Sequence, residues 1–344
     1  MKKWMILMLL SVMLVGCGGA ADEPQTLTVM THDSFAVSED VVAAFEEQYG
    51  VTVQFLKAGD AGTALNKAIL AGDTPLADAF YGLDNSFLSR ALEEDIFVAY
   101  ESPALADVPD EFELDSSHHA LPVDYGDVCV NYYISYFEDN SLTVPGSLDD
   151  LLDPAYEGLL TVENPASSSP GLAFLLATVG TYGEDGYRDY WSGLVENGVH
   201  VVNDWETAYY TEFSRWGGQY PLVVSYGSSP PFEVIFAEEP MDEPPTGAIT
   251  APGTCFRQIE FVGILKGTEH EELAQKWVDF MLSTTFQEDI PLQMYVFPVN
   301  ENAALDETFE QYLAVAEEPA FVDPAAIAAN REAWIEGWLD TVVR

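Results

Sequence analysis

Between residues 27 and 92 the chain changes its apolar period repeatedly, and the order of those changes narrows the fold more than any other feature. Residues 27–30 read as a short buried strand. Ser38 stands where a helix cap belongs, with Glu39 and Asp40 well placed in the first turn. Val41, Val42, Phe45 and Tyr49 then fall on one helical face, and Gly50 is placed to end the helix. Val51, Val53 and Phe55 alternate as a strand. Leu65, Ala68 and Ile69 mark a second helix that stops near Gly72. Residues 77–81 form another strand, and a helix follows over 87–92. Strand, helix, strand, helix, strand, helix is the grammar of a mostly parallel sheet covered by helices.

The pattern pauses and then resumes. Residues 122–133 read as a crossing strand and 147–152 as a short helix. A second α/β unit follows, with strands at 159–162, 199–202 and 222–225 and helices at 172–179 and 206–213. The stretch 253–264 reads as a strand returning to the first unit. Thr268 and Glu271 match a capping box, and Leu273, Trp277 and Phe280 line the helix behind it. A last helix, about 324–343, carries Trp334 and Trp338 on one side. The acidic, Pro-rich stretch 238–245 reads as an exposed loop. At 344 residues the chain is too long for one core. The expected division is a first lobe at 26–121, a second at 122–254, a return at 255–300 and a C-terminal helical segment at 301–344. Two α/β lobes joined by crossings leave a cleft, and ligands of open α/β sheets bind beyond the carboxyl ends of the strands.

Charge excludes several function classes. There are 58 acidic residues against 12 Lys plus Arg, a formal charge of −46. Such a surface repels nucleic acid and anionic lipid headgroups. The N-terminus points to export. Lys2 and Lys3 precede an apolar run over residues 4–15, too short for a bilayer span and suited to a secretory signal. It closes on Leu14-Val15-Gly16-Cys17, which resembles a bacterial lipobox whose Cys becomes the acylated first mature residue. The expected organisation is a signal at 1–16 and a polar tether at 17–25. The folded body then lies outside the cytoplasm, held to the membrane through lipid on Cys17. An ordinary cleaved signal is the other reading of the same residues. Two further cysteines, Cys129 and Cys255, are either bridged or buried as free thiols. Export favours a bridge, but sequence gives no Cα separation.

Three loops after strands carry the best ligand signals. Ser167-Ser168-Ser169-Pro170-Gly171 opens a helix, with Pro170 suited to its first position. The serines there either simply cap the helix or help hold an anion on its free N–H groups. His32-Asp33-Ser34-Phe35 follows the first strand. Tyr226-Gly227-Ser228-Ser229-Pro230 follows residues 222–225, with Gly227 permitting close approach and Tyr226 offering a flat face. Trp205 and Tyr295 also follow apolar segments. Such rings suit a cationic heteroaromatic ligand through stacking and cation–π attraction, or else they pack in cores. Asp60 either caps the second helix or meets a polar ligand edge. His118 and His119 are adjacent, so on a strand they face opposite ways; they read as surface residues and not as metal ligands.

At these loops the sequence resembles the thiamine-binding branch of the type II periplasmic solute-binding family of bacterial ABC importers. The resemblance runs through Asp33-Ser34-Phe35, Gly82-Leu83-Asp84-Asn85, Asp124-Tyr125-Gly126, Ser169-Pro170-Gly171-Leu172, Trp205-Glu206-Thr207-Ala208-Tyr209, Ser225-Tyr226, Ser229-Pro230 and Arg331-Glu332-Ala333-Trp334-Ile335. It implies two α/β lobes with a hinge. It places thiamine or its mono- or diphosphate on Asp60, Ala61, Ser168, Ser169, Trp205, Tyr226, Gly227, Ser228 and Ser229. The serines would meet the phosphate end and the aromatic residues the rings. Further contacts are implied at His32, Asp33, Phe232 and Tyr295. The chain departs from the family at His32, where an aromatic is usual, at Ala61 for Gly and at Phe232 for Tyr, and it lacks a Trp-bearing insertion after Phe35.

The implied protein is a monomer without cofactor or metal, no enzyme, that hands its cargo to a membrane permease driven by separate ATPase subunits. Two other readings compete. One is a ferric-iron or organophosphonate receptor; iron would draw on clustered Tyr and acidic oxygens, with Tyr132, Tyr133, Tyr209 and Tyr210 as candidates. An extracellular thiamine-degrading enzyme would need Cys129 or Cys255 as nucleophile. No Walker loop or dinucleotide fingerprint is present.

Overall fold

The computed structural model describes residues 25–237 and 239–343. The expected signal, Cys17 and all of the expected tether except Gln25 therefore lie outside the described residues; Gln25 opens the first strand and so belongs to the folded body. The strands are β1 (Gln25–Thr31), β2 (Val51–Lys57), β3 (Ala79–Asp84), β4 (Phe97–Val98), β5 (Leu121–Tyr133), β6 (Leu160–Glu163), β7 (His200–Val202), β8 (Leu222–Tyr226), β9 (Thr246–Ile249), β10 (Phe256–Leu265) and β11 (Phe297–Pro298). The helices are α1 (Glu39–Tyr49), α2 (Ala61–Ala71), α3 (Leu88–Glu93), α4 (Ile134–Asp139), α5 (Ser169–Glu196), α6 (Ser229–Ile235), α7 (Glu271–Met281), α8 (Thr284–Gln287), α9 (Ile290–Met294), α10 (Glu307–Tyr312) and α11 (Pro324–Val342).

One hydrogen-bonded path runs β2-β1-β3-β10-β5-β8-β6-β7. Its two ends are parallel: β1 pairs with β2 and β3, and β6 with β7 and β8. Its middle is antiparallel, because β10 pairs with β3 and β5, and β5 with β8. Short local connections made the two ends readable from the sequence. The middle joins residues 90 or more positions apart.

Buried apolar side chains form two large clusters. One holds Leu27, Val29, Phe45, Phe80, Leu121, Val123, Phe261 and Trp277. The other holds Val128, Leu172, Phe174, Trp191, Leu222, Trp334 and Trp338. Strand β5 supplies Val123 to the first and Val128 to the second, so it runs from one core to the other; β10 does the same with Phe256 and Ile259. Beside this crossing Cys129 and Cys255 are joined by a disulfide with Cα atoms 4.4 Å apart.

Most elements fall where the periodicity puts them, and the differences have local causes. Gly50 ends α1 in the left-handed conformation, its N–H donating to the Glu46 carbonyl. Ser38 sits at the N-cap, but its side chain makes no capping bond. Thr268 does not form a capping box with Glu271. Its hydroxyl donates to Asp78 and accepts from the His270 N–H, and α7 starts two residues later than the motif implies. Helix α5 begins at Ser169, so Pro170 is its second residue, and it runs on to Glu196 across a break at Gly183 (φ 75°). The segment after Trp205 is a π-helical turn, Thr207–Glu212, rather than a longer helix. Among the described residues no helix is long and apolar enough to cross a membrane.

Candidate functional site

A cleft of about 460 Å³ opens between the two cores, at the carboxyl ends of β1, β6 and β8. Its lining includes His32, Asp33, Asp60, Ala61, Ser168, Ser169, Trp205, Tyr226 and Tyr295. Loops separated by up to 263 positions thus converge on one hollow. The remaining positions of interest lie elsewhere. Ser229 and Phe232 line an adjoining aromatic cavity of about 480 Å³, which shares Trp205, Tyr210 and Tyr295 with the cleft. Gly227 and Ser228 line neither cavity. The Gly227 N–H donates to the Asp127 carbonyl, and a side chain at Gly227 would run into the Ala314 carbonyl. The Ser228 hydroxyl donates to the Tyr295 carbonyl. Tyr295 itself holds φ 63°, a conformation uncommon outside glycine.

The rings are positioned by hydrogen bonds behind them. The Trp205 indole N–H donates to the Ser225 hydroxyl at 3.0 Å, and Ser225 lies 3.0 Å from the Ser229 hydroxyl. Trp205 stacks on Tyr209 at 5.2 Å between centroids and meets Tyr226 edge-on at 6.4 Å. The Tyr209 hydroxyl donates to Glu233, which Arg215 also pairs. Gly126 gives Tyr226 its space, since a Cβ there would stand 2.9 Å from the ring.

The lining is also acidic. Asp33, Asp60 and Glu260 line the cleft together with Asp204 and Glu206, which flank Trp205, and among the described residues no Lys or Arg does. Asp60 caps α2, accepting from the Ala61 N–H at 2.7 Å. Burial pushes its carboxyl up to about 6, helped by nearby Asp84; the N–H groups of Ala61 and Ser169 and the His32 ring pull the other way. Asp84, at the end of β3, accepts from the Ser169 hydroxyl at 2.6 Å and ties the serine loop to the first core. It is 1% exposed, and burial raises its pKa despite the Ser169 and Ser86 bonds.

Below these residues lies a like-charge pair. Asp124 on β5 and Glu260 on β10 are register partners, and the ladder shifts immediately after Glu260. Such an irregularity re-aims a side chain, and Glu260 reaches the cleft. The Tyr81 hydroxyl donates to Asp124 at 2.5 Å and approaches Glu260 at 3.2 Å. His32 Nε2 lies 3.5 Å from Glu260, in space kept open by Gly82 (φ 90°). Burial first, then the Glu260 charge, pushes Asp124 well above the ordinary carboxylate range. Burial and the carboxylates of Glu260, Asp84, Asp60 and Glu163 likewise raise Tyr226 far above the usual phenol value, so it stays a neutral donor.

The lining residues Asp204, Gln258, Glu260 and Met294 carry no ligand signal in the sequence, Tyr210 enters only as a candidate iron ligand, and Glu206 and Asp84 only within segments of the family resemblance. Asp84 follows the same strand-end rule as the others and was within reach of it. Glu260 sits inside a strand, and only the long-range register brings it to the cleft.

The family of bacterial extracellular solute-binding proteins matches residues 74–315. This chain belongs to that family. Thiamine-binding periplasmic proteins of Escherichia coli and Salmonella typhimurium are each 31% identical to this solute-binding protein, covering 96% and 100% of it and 98% and 100% of themselves. A solved structure of a periplasmic thiamin binding protein superposes with a TM-score of 0.80 at 29% identity, covering 93% of this chain and 97% of that one. The solute-binding protein thus has the expected α/β fold of the type II periplasmic class.

Proposed function

We propose that this protein captures thiamine or a thiamine phosphate outside the cytoplasm and delivers it to an ABC permease driven by separate ATPase subunits. The observation that carries this reading is the cleft's chemistry: aromatic rings beside several carboxylates, with no Lys or Arg among the described lining residues. Thiamine joins a cationic thiazolium to a flat aminopyrimidine. Trp205 and Tyr226 suit the rings through stacking and cation–π attraction. Asp60 and Glu260 suit the positive charge. The likeness to the thiamine-binding proteins supports the same ligand. Ser168 and Ser169 face the end that bears a phosphate when one is present. Residues lining the cleft come from both cores, so a ligand that touches both sides favours the closed arrangement, with β5 and β10 as the hinge.

The protein acts as a monomer and is tethered by lipid on Cys17 after removal of residues 1–16. It is a receptor and not an enzyme. Cys129 and Cys255, the two candidate nucleophiles for thiamine cleavage, are fully buried and bonded to each other. Iron capture is disfavoured because the Tyr209 hydroxyl is already committed to Glu233. Calorimetric titration of the purified mature protein tests the reading. One thiamine per chain should bind with micromolar or tighter affinity and leave unchanged after release. Retained iron together with no heat from thiamine would sink it. Replacing Cys17 with Ser should release the protein from membranes, read by fractionation.

A further inference from the structure

Behind the serine loop lies another cavity, of about 320 Å³, bounded by α2, α3 and α11. It shares Asp60, Ser168 and Ser169 with the cleft, but Arg90 and Arg331 line it. Arg331 is only 6% exposed. Its guanidinium lies 4.5 Å over the Phe87 ring, and one terminal nitrogen pairs with the solvent-exposed carboxylate of Glu332. The other, Nη1, is buried with no hydrogen-bond partner. A buried guanidinium with an idle donor calls for an anion, since leaving it unmatched is costly. The same cavity meets the N-terminus of the 28-residue α5, where N–H groups and the helix dipole favour negative charge. The Ser168 cap is weak, accepting from Gly171 N–H at 3.4 Å.

We infer that this rear cavity receives a phosphate monoester group, and that Arg331, assisted by Arg90, distinguishes a phosphorylated ligand from its unphosphorylated parent. This rests on the reading of the cleft as a thiamine site. The cationic rings occupy the acidic cleft, and the phosphate passes Asp60, Ser168 and Ser169 into the cavity behind. Fork-like donation from arginine suits phosphate oxygens. The Glu332 partner is no obstacle, because its carboxylate is 80% exposed and water can replace the arginine as its partner.

The test is calorimetric titration of the mature protein with thiamine, thiamine monophosphate and inorganic phosphate, on wild type, Arg331→Gln and Arg90→Gln, with melting curves for each. Arg331→Gln should weaken monophosphate binding by about 10- to 100-fold while thiamine stays within about 2-fold. Arg90→Gln should show the same selectivity at smaller amplitude. Equal loss for both ligands makes Arg331 a packing residue for Phe87 and overturns the inference; so does an unchanged monophosphate affinity. If Arg331→Gln does not fold, Arg90→Gln decides by the same selectivity. If wild type binds neither thiamine compound, the cleft reading fails. The inorganic phosphate arm then decides: binding abolished by Arg331→Gln keeps an anion pocket for free phosphate, and no binding overturns it.

Discussion

Around Asp60 the groups facing the cleft are carboxylates and a histidine; around Trp205 they are rings flanked by Asp204 and Glu206, and the two regions are stabilised in different ways. The ring side is satisfied before any ligand arrives. Trp205, Ser225 and Ser229 form a hydrogen-bonded series, and Tyr209, Glu233 and Arg215 brace it from behind. The acidic side is not at rest. Asp60 is held up to about 6, and Asp124 faces Glu260 across the ladder with a raised pKa of its own. A preformed surface gives affinity through contact alone. A surface of strained charges gives it by relief, and only to a cation.

Four substitutions separate these two contributions. Trp205→Ala removes the central ring and should weaken thiamine by about 100-fold, as loss of a desolvated aromatic anchor does. The melting temperature should hardly move; calorimetry and a thermal scan read both. Asp60→Asn should cost about 10-fold at pH 7.5. It should also change the pH profile. Ligand charge favours ionised Asp60, so wild-type affinity is full above about 6 and declines as the pH falls through that value. The Asn variant should lack that decline, and titrations from pH 5 to 8 check it.

Ser225→Ala leaves every lining side chain in place but frees the indole N–H. About 5-fold weaker binding is expected from one lost neutral hydrogen bond. Glu260→Gln makes the smallest difference to binding and a distinct one to stability. Asp124 binds its proton more tightly folded than unfolded, so folding is penalised as pH rises above the unfolded carboxylate value. Removing the Glu260 charge lessens that penalty. Urea unfolding should show the variant about 1 kcal/mol more stable at pH 7.5, with the gap closing by pH 4.

The ring side was far more legible in the sequence than the acidic side, and geometry explains why. Trp205 follows β7 and Tyr226 is the last residue of β8, and the position of a residue at or just past a strand end is fixed by local order. Asp60 was visible as a helix cap for the same reason. Glu260 and Asp124 lie within strands whose pairing is set 136 residues apart, where no local period reports a partner. Ser38 and Thr268 show the complementary failure. Both sit in good capping contexts, but tertiary partners take part of each: Asp289 accepts from the Ser38 N–H, and Asp78 accepts from the Thr268 hydroxyl. Gly227 and Ser228 were placed at the ligand by the family resemblance; in the structure Gly227 packs against Ala314 and the Ser228 hydroxyl donates to the Tyr295 carbonyl.

The bond between Cys129 and Cys255 carries a mechanical consequence. It fastens β5 to the chain entering β10 on the side of the second core, beside the Val128–Phe256 pair. Past that rivet the two crossing strands cannot slip lengthwise against each other. Relative movement of the cores is left with bending and twisting of the few residues between Asp124 and Val128 and of their partners, which makes the joint a pivot and not a sliding bearing.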